Sequence, residues 1–444
     1  MLKLPTRGLM AVAMAGAFMM SSGSASAIGL VQAYNQALQN DPTFSSAKFE
    51  NAAGRENKAL ARAGLLPNVS ASYSANKNKA DITPSIQPRQ DYSSSSANIQ
   101  LRQPILNLEN VARYYQGVAQ SNYSDAQFSA RRQDLILRLV SAYIEAQFAE
   151  DQLRLSLAQR DTLTEQKNAM TRMFTLGEAT KTDILETQAK FDINEAQILE
   201  AQDNLMNARN ALAAIIGTDV TSLDPLSDNF SGKPVVPSSF DAWKTTALAN
   251  NAELDALRYS LESAGLEVQK ARAGHTPKID LVASMSKNDS ETINNLGQNS
   301  TVRSVGVQVN IPLYAGGYVM AAGRQAVATR EKTRSDLEAK TNQVVVELRK
   351  QFNLTQSSIV RVDALVKSVN SAKLLVEATR QSIKGGVRVN LDLLNAEQQL
   401  FTARRDLAQG RYTYLLSYLR LRNAGGVLDE SDVNEMAGYF VKAP

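Results

Sequence analysis

The chain has 444 residues, with 48 Lys plus Arg against 44 Asp plus Glu, one His and no Cys. The absence of thiols excludes disulfides and thiolate metal sites. The formal charge of +4 falls to +2 once Lys3 and Arg7 of the N-terminal segment are set aside, which argues against the basic face that nucleic acid requires.

Residues 1–27 read as a secretory signal peptide. Lys3 and Arg7 form the positive region, residues 9–20 the apolar core, and Ala25-Ser26-Ala27 the small-x-small cleavage site. The core is too short to span a bilayer comfortably. The mature chain is expected to start at Ile28, and with no Cys beside the cleavage site no lipid anchor is expected. Beyond Ile28 no run approaches 18 continuous apolar residues, so a β-barrel is the one remaining way to cross a membrane.

The rest of the chain is written twice. Residues 37–78 align with 247–288 at an offset of 210, 99–106 with 307–314 at 208, and 177–217 with 386–426 at 209. A period this long is a duplicated unit and not a solenoid repeat. The first repeat is 28–222. Residues 30–63 are predicted to be helical, ending at Gly64 and Pro67. A strand pair then lies within 67–107. Val69, Ala71, Tyr73 and Ala75 alternate with Ser70, Ser72, Ser74 and Asn76. Ile99, Leu101, Gln103 and Ile105 alternate with Asn98, Gln100 and Arg102. A polar loop at 77–91 joins the two strands, and Pro104 sits near the end of the second, where a missing amide donor costs least. A helix of 108–174 follows, roughly 100 Å at 1.5 Å per residue. Leu176-Gly177-Glu178 breaks it, and Thr180 or Thr182 caps a return helix running to Ile216.

The segment 223–246 is a connector, irregular to 241, and Trp243 is read as a packing residue beyond it. The second repeat, 247–426, has the same order: a helix, a strand pair within 277–313 around a loop at 287–301, a long helix to about Ile383, a turn at Gly385-Gly386, and a last helix to Arg422. The clearest strand is 302–313, where Val305, Val307, Val309, Ile311 and Leu313 alternate with small or polar residues. Residues 427–444 are read as an irregular tail. The lone His275 sits in the turn entering the third strand and is read as structural.

Both return helices carry heptads. Ile184, Phe191, Ile198, Leu205 and Leu212 face a smaller series at Thr187, Asn194, Ala201, Ala208 and Ile215. Leu393, Leu400, Leu407, Tyr414 and Leu421 face Ala396, Ala403, Gly410, Ser417 and Ala424. This period predicts extended left-handed coiled-coil pairs. Four strands cannot close a barrel, and an open edge in lipid leaves backbone groups unpaired. The barrel must therefore be shared: two copies give eight strands, three give twelve. The odd positions of the first and last strands then face lipid, and Ser70, Ser72, Ser74, Asp280, Ser284, Gln308 and Asn310 face a polar lumen. Lys77, Lys79 and Lys287 flank strand ends, within reach of lipid headgroup phosphates.

Five stretches, ALQNDP (37–42), ARAGLLPNVSASYSAN (61–76), ARAGHTPKID (271–280), IPLYAGG (311–317) and VNLDLLNAEQQL (389–400), resemble the TolC family of outer-membrane exit ducts, in the same element order across 28–426. The resemblance implies a fold that is mostly α with a membrane β-barrel part: a homotrimer with a twelve-stranded barrel, a twelve-helix coiled-coil tunnel, and a mixed belt built from connector and tail. It implies a Gram-negative outer-membrane location with a large periplasmic portion. It also implies docking on a periplasmic adaptor, or membrane fusion protein, and an inner-membrane transporter. The missing lipid anchor resembles the type I protein-secretion branch beside an ABC transporter, with drug efflux as the alternative.

In the family the tunnel closes at its periplasmic end. The corresponding gate positions are Asp183, Arg388, Asp392 and Asn395, with Arg388 tied to Asp183 and Asp392 forming an acidic ring in the pore. Asn395 replaces a second acidic position and Ile383 an aromatic hydroxyl. An acid in the first turn also serves the helix dipole, worth about 0.3–1 kcal/mol, and Asn390 is a natural cap. Leu176-Gly177-Glu178 and Gly385-Gly386-Val387 resemble adaptor-contacting tips, and their glycines are equally ordinary helix stops. No phosphate-binding loop, metal cluster or nucleophile–base pair is legible, so neither cofactor nor catalysis is expected. Of other classes, a coiled-coil surface rod would explain the heptads but not the paired strands, and a soluble periplasmic adaptor would be released by osmotic shock.

Overall fold

A computed structural model describes residues 27–81, 89–227, 230–290 and 298–442. The signal-peptide reading lies outside the described residues but for Ala27, as do the centres of both polar loops. In chain order the elements are α1 (Leu30–Asn40), α2 (Pro42–Ala63), β1 (Asn68–Asp81), β2 (Arg89–Leu106), α3 (Leu108–Thr175), α4 (Lys181–Ile216), α5 (Phe240–Asn250), α6 (Ala252–Arg272), a 3-10 turn (Ala273–His275), β3 (Lys278–Ser290), β4 (Gln298–Asn310), α7 (Tyr318–Lys384), α8 (Asn390–Ala424) and α9 (Glu430–Ala437).

The expected helix of 30–63 is two helices. Asp41 breaks it by capping the second: its carboxylate accepts the amides of Thr43 and Phe44 at 3.2 and 3.1 Å, and Pro42 takes the first helical position. Asn251 repeats the device between α5 and α6, accepting from Glu253 and Leu254. Asp41 is buried and also receives Arg138 of α3 at 2.7 Å.

The strands form one antiparallel sheet in the order β1-β2-β3-β4. They run further than expected, because residues 77–81 and 287–290 continue the ladder, with Lys77 opposite Ser93 and Lys287 opposite Thr301. Backbone pairing needs no apolar alternation, so these polar ends look like loop in the sequence. The last strand ends at Asn310 instead of 313, since Pro312 has no amide to donate. Gly316 and Gly317, with φ of 60° and 80°, turn the chain into α7. The register puts Val69, Leu101, Ala283 and Val305 on one face, with Ala71, Ile99, Leu281 and Val307. Ser70, Gln100, Ser284, Ser304, Asp280 and Gln308 share the other. Asp280 on the polar face is covered by Arg102, whose Nε and Nη2 reach its carboxylate at 3.0 and 2.5 Å.

Helices α3 and α7, of 68 and 67 residues, are each roughly 100 Å long. At the end remote from the sheet α4 packs back along α3 and α8 along α7. The heptad seams are covered: Ile198, Ala201, Leu205 and Leu212 are buried on α4, and Leu393, Ala396, Ala403, Tyr414 and Leu421 on α8. Gly410 is required by close approach, since a Cβ there would lie 2.8 Å from Leu365 Cδ1.

The main core lies mid-length, where α1, α3, α4, α8 and α9 meet the connector, around Tyr34, Leu135, Leu139, Tyr143, Leu212, Ile216, Tyr414 and Leu415. Tyr143 donates to the carbonyl of residue 28 at 3.0 Å and accepts the amide of Asp224. Trp243 is buried in a second cluster with Leu348, Phe352 and Leu421, and its Nε1 donates to Pro237 O at 2.8 Å. The tail is not wholly irregular. Asp429 and Asp432 cap α9 reciprocally, and Val433 and Met436 turn inward. Asp432 is buried because Arg422 pairs with it.

Candidate gate and docking tips

Two tight turns end the long helices, and every expected site residue lies on or just past one of them. In the first, Leu176 ends α3 and Gly177 takes a φ of 77°, so that Glu178 N–H returns to Met173 O at 2.8 Å. In the second, Gly386 takes a φ of 72° and Val387 N–H returns to Ser382 O at 3.0 Å. Six-residue closures of this kind satisfy helix-end carbonyls and need a residue without Cβ strain at the left-handed position. No atom comes within 4 Å of a Cβ built on either glycine, so both backbones are open to a partner. Leu176, Val387 and Val389 stand exposed beside them.

Asp183 occupies the third position of α4 and closes a reciprocal cap. Its Oδ2 accepts the Thr180 amide at 2.9 Å and hydroxyl at 2.7 Å, and Thr180 Oγ1 accepts the Asp183 amide. Thr180, not Thr182, is therefore the cap. Asp392 stands at the matching place in α8 and receives the Val389 amide at 3.5 Å. Val389 has no side-chain oxygen, so this cap is half of the first. Asn390 is not the cap: it is the first residue of α8, and its amide reaches across to Thr187 Oγ1 of α4 at 3.1 Å. Arg388 is exposed, and among the described residues its guanidinium meets no carboxylate of its own chain. Asn395 is exposed one turn further along α8. Within one chain, then, Asp183 serves its own helix and is not joined to Arg388.

Above the tips lies a polar seam that the sequence reading did not single out. Gln159 of α3 donates to Gln398 of α8 at 3.0 Å, and Asn194 of α4 reaches Gln159. Glu397 of α8 receives Gln166 of α3 and Arg380 of α7, the latter at 3.3 Å. Burial pushes the Glu397 carboxyl above its ordinary range, against the opposing pull of Arg380 and Gln166. The two helix pairs are thus tied near the tips by polar side chains, whereas apolar packing dominates mid-length. Asn194 at a heptad position was the one visible signal of this seam.

The outer membrane efflux protein family matches residues 33–218 and 243–427. Over 94% of this chain and 88% of the relative, the sequence is 40% identical to the alkaline protease secretion protein AprF of Pseudomonas aeruginosa. It is 38% identical to the proteases secretion protein PrtF of Dickeya chrysanthemi, over 96% of this chain and 94% of that one. Among solved structures, the CmeC outer membrane channel of Campylobacter jejuni superposes with a TM-score of 0.79 at 17% identity, over 99% of this chain and 98% of that one.

Proposed function

The chain belongs to the outer membrane efflux protein family, and from that premise we propose that three copies form a passive exit duct for secreted protein. The observation that carries this reading is the open sheet. Four strands leave β1 and β4 without outer partners among the described residues, and their apolar face is exposed at Val69, Ile99, Val305, Val307 and Val309. In lipid each unpaired backbone group costs several kcal/mol, so pooling hairpins into twelve strands removes all the edges together. The apolar face then meets lipid, and the face holding Ser70, Ser284 and Gln308 lines the lumen.

The helices support the same assembly. After the internal seams are satisfied, Leu185, Leu199 and Met206 of α4 remain exposed at intervals of 14 and 7, as do Val346, Val360 and Leu374 of α7 at 14. Stripes on a multiple of seven suit neighbouring long helices. Three copies of α3, α4, α7 and α8 would enclose a tunnel reaching into the periplasm. Its tips, with open glycine backbones and exposed Leu176 and Val387, suit the hairpin of a periplasmic adaptor that couples the duct to an inner-membrane transporter of ABC type.

At the mouth, Arg388 of one copy meets Asp183 of the next, and three Asp392 carboxylates form a ring that attracts cations. The free guanidinium of Arg388 supports a contact between copies. The cargo is assigned as protein because the two relatives near 40% identity are named for protease secretion. The test joins two readouts. In planar bilayers R388S should raise single-channel conductance, and the wild-type chain should restore protease secretion to a strain lacking its own duct but keeping adaptor and transporter. Unchanged conductance removes Arg388 from the lock. Channel activity with drug resistance restored but no secretion assigns the duct to efflux instead.

A further inference from the structure

We propose that the end of the sheet remote from the helices carries a binding rim for the phosphates of an outer-leaflet glycolipid, formed by Lys77, Lys287 and Arg303. Along the outward face of β1 the residues run Val69, Ala71, Tyr73, Ala75, Lys77 and Lys79. Along β3 they run Ile279, Leu281, Ala283, Met285, Lys287 and Asp289, and along β4 Val309, Val307, Val305, Arg303, Thr301 and Asn299. On each strand the face is apolar near the helices and becomes charged at the same remote end.

The distance fits a bilayer. Eight residues separate Val69 from Lys77 and Ile279 from Lys287, about 26 Å along a strand. At a tilt of ~40° that is roughly 20 Å of height, close to the ~25 Å apolar band of such barrels.

The charges at this end do not simply cancel. Lys79 is opposite Asp91, which balances it. Asp289 is opposite Asn299, whose amide, turned to donate, bonds it at 3.0 Å. Lys77 is opposite Ser93, Lys287 lies between Ala97 and Thr301, and Arg303 is opposite Met285. All three cations are exposed. The helix end of the outward face, at Val69, Leu101, Gln103, Ile279, Leu281, Val307 and Val309, holds no cation. The two rims therefore differ, one apolar and one cationic: Lys287 and Arg303 are diagonal neighbours on adjacent strands, about 7–8 Å apart, and Lys77 extends the cationic rim along β1, a spread that suits separate phosphate groups.

This proposal rests on the membrane reading above, and the experiment separates the two. The full-length protein is purified and its binding to bisphosphorylated lipid A measured by native mass spectrometry, against the same lipid without phosphates and against phosphatidylglycerol. The wild type is expected to prefer bisphosphorylated lipid A over both. Each Lys or Arg exchanged for Gln should weaken that binding roughly fivefold, the scale of one juxtamembrane cation, so K77Q/K287Q/R303Q should lose about a hundredfold. K77R/K287R should retain it. Raising salt should weaken binding of bisphosphorylated lipid A in the wild type and leave the dephosphorylated lipid unchanged, a readout that stands even where a variant misfolds. Equal binding of phosphorylated and dephosphorylated lipid, or a preference for phosphatidylglycerol, overturns the rim while leaving the duct intact. Failure to enter bilayers at all overturns the membrane reading itself.

Discussion

Asp41 does two things at once, and replacing it separates them. Its carboxylate caps α2 through two amides and holds Arg138, which is 33% exposed and keeps a second carboxylate, Asp134, at 3.1 Å. A lost cap costs about 1 kcal/mol. Breaking a fully buried ion pair would cost about 3–5 kcal/mol. Solvent access and the remaining Asp134 contact discount this to about 1–2 kcal/mol. D41A should therefore lose about 2–3 kcal/mol, and D41N, which keeps the cap, about 1–2 kcal/mol. The duplicated half supplies the control. There Asn251 caps α6, and Glu347, 209 residues after Arg138, lines the same cavity as Asn251. N251D should gain nothing and lose some stability, because Asn251 Nδ2 donates to Ala424 O at 3.3 Å and a carboxylate oxygen there would face that carbonyl as a second acceptor. The assay is urea unfolding in detergent followed by helical circular dichroism. Equal midpoints for D41A and D41N would refute the cap, and a D41N midpoint equal to wild type would refute the ion pair.

Two further outcomes follow from the tunnel. Because burial raises the Glu397 carboxyl, its contribution to stability is greatest at low pH and is lost as pH rises through the raised value. E397Q should keep its carbonyl toward Arg380 and, with the Gln166 amide turned so that its Oε1 accepts, the contact to Gln166, while removing that loss, so its urea midpoint relative to wild type should be higher at pH 8 than at pH 5; an equal difference at both would remove Glu397 from the titrating set. Gly386→Ala at a φ of 72° should cost about 1–2 kcal/mol of local strain with no steric clash. Faster amide exchange at Val387 would report it, and unchanged exchange would show that the turn tolerates a side chain.

Much of this architecture was legible because the deciding signals are local. Asp41-Pro42 carries a cap and a first-turn proline side by side, although the helical spacing of Ala, Leu and Phe on either side hid the break it makes. The heptads named the buried seams, and the strand alternation named both sheet faces. The polar ends of the hairpins were not legible, because a ladder built from backbone groups leaves no side-chain period where both faces are wet. Helix α9 was missed because two inward residues, Val433 and Met436, are too few to set a period, and its pairing with Arg422 is a tertiary contact. At the tips the glycines and first-turn acids were visible. That Asp183 is engaged by Thr180 within its own helix start, and that Glu397 draws partners from two other helices, depends on geometry no spacing encodes.

Among the described residues one chain leaves both sheet edges, β1 and β4, open. The most direct measurement is the mass of the purified protein in mild detergent, taken together with hydrogen exchange at β1 and β4. Three copies per particle, with the outward amides of both edge strands as protected as those of β2 and β3, is the predicted result. A monomer whose β1 and β4 amides exchange freely would contradict the shared barrel, and with it the duct.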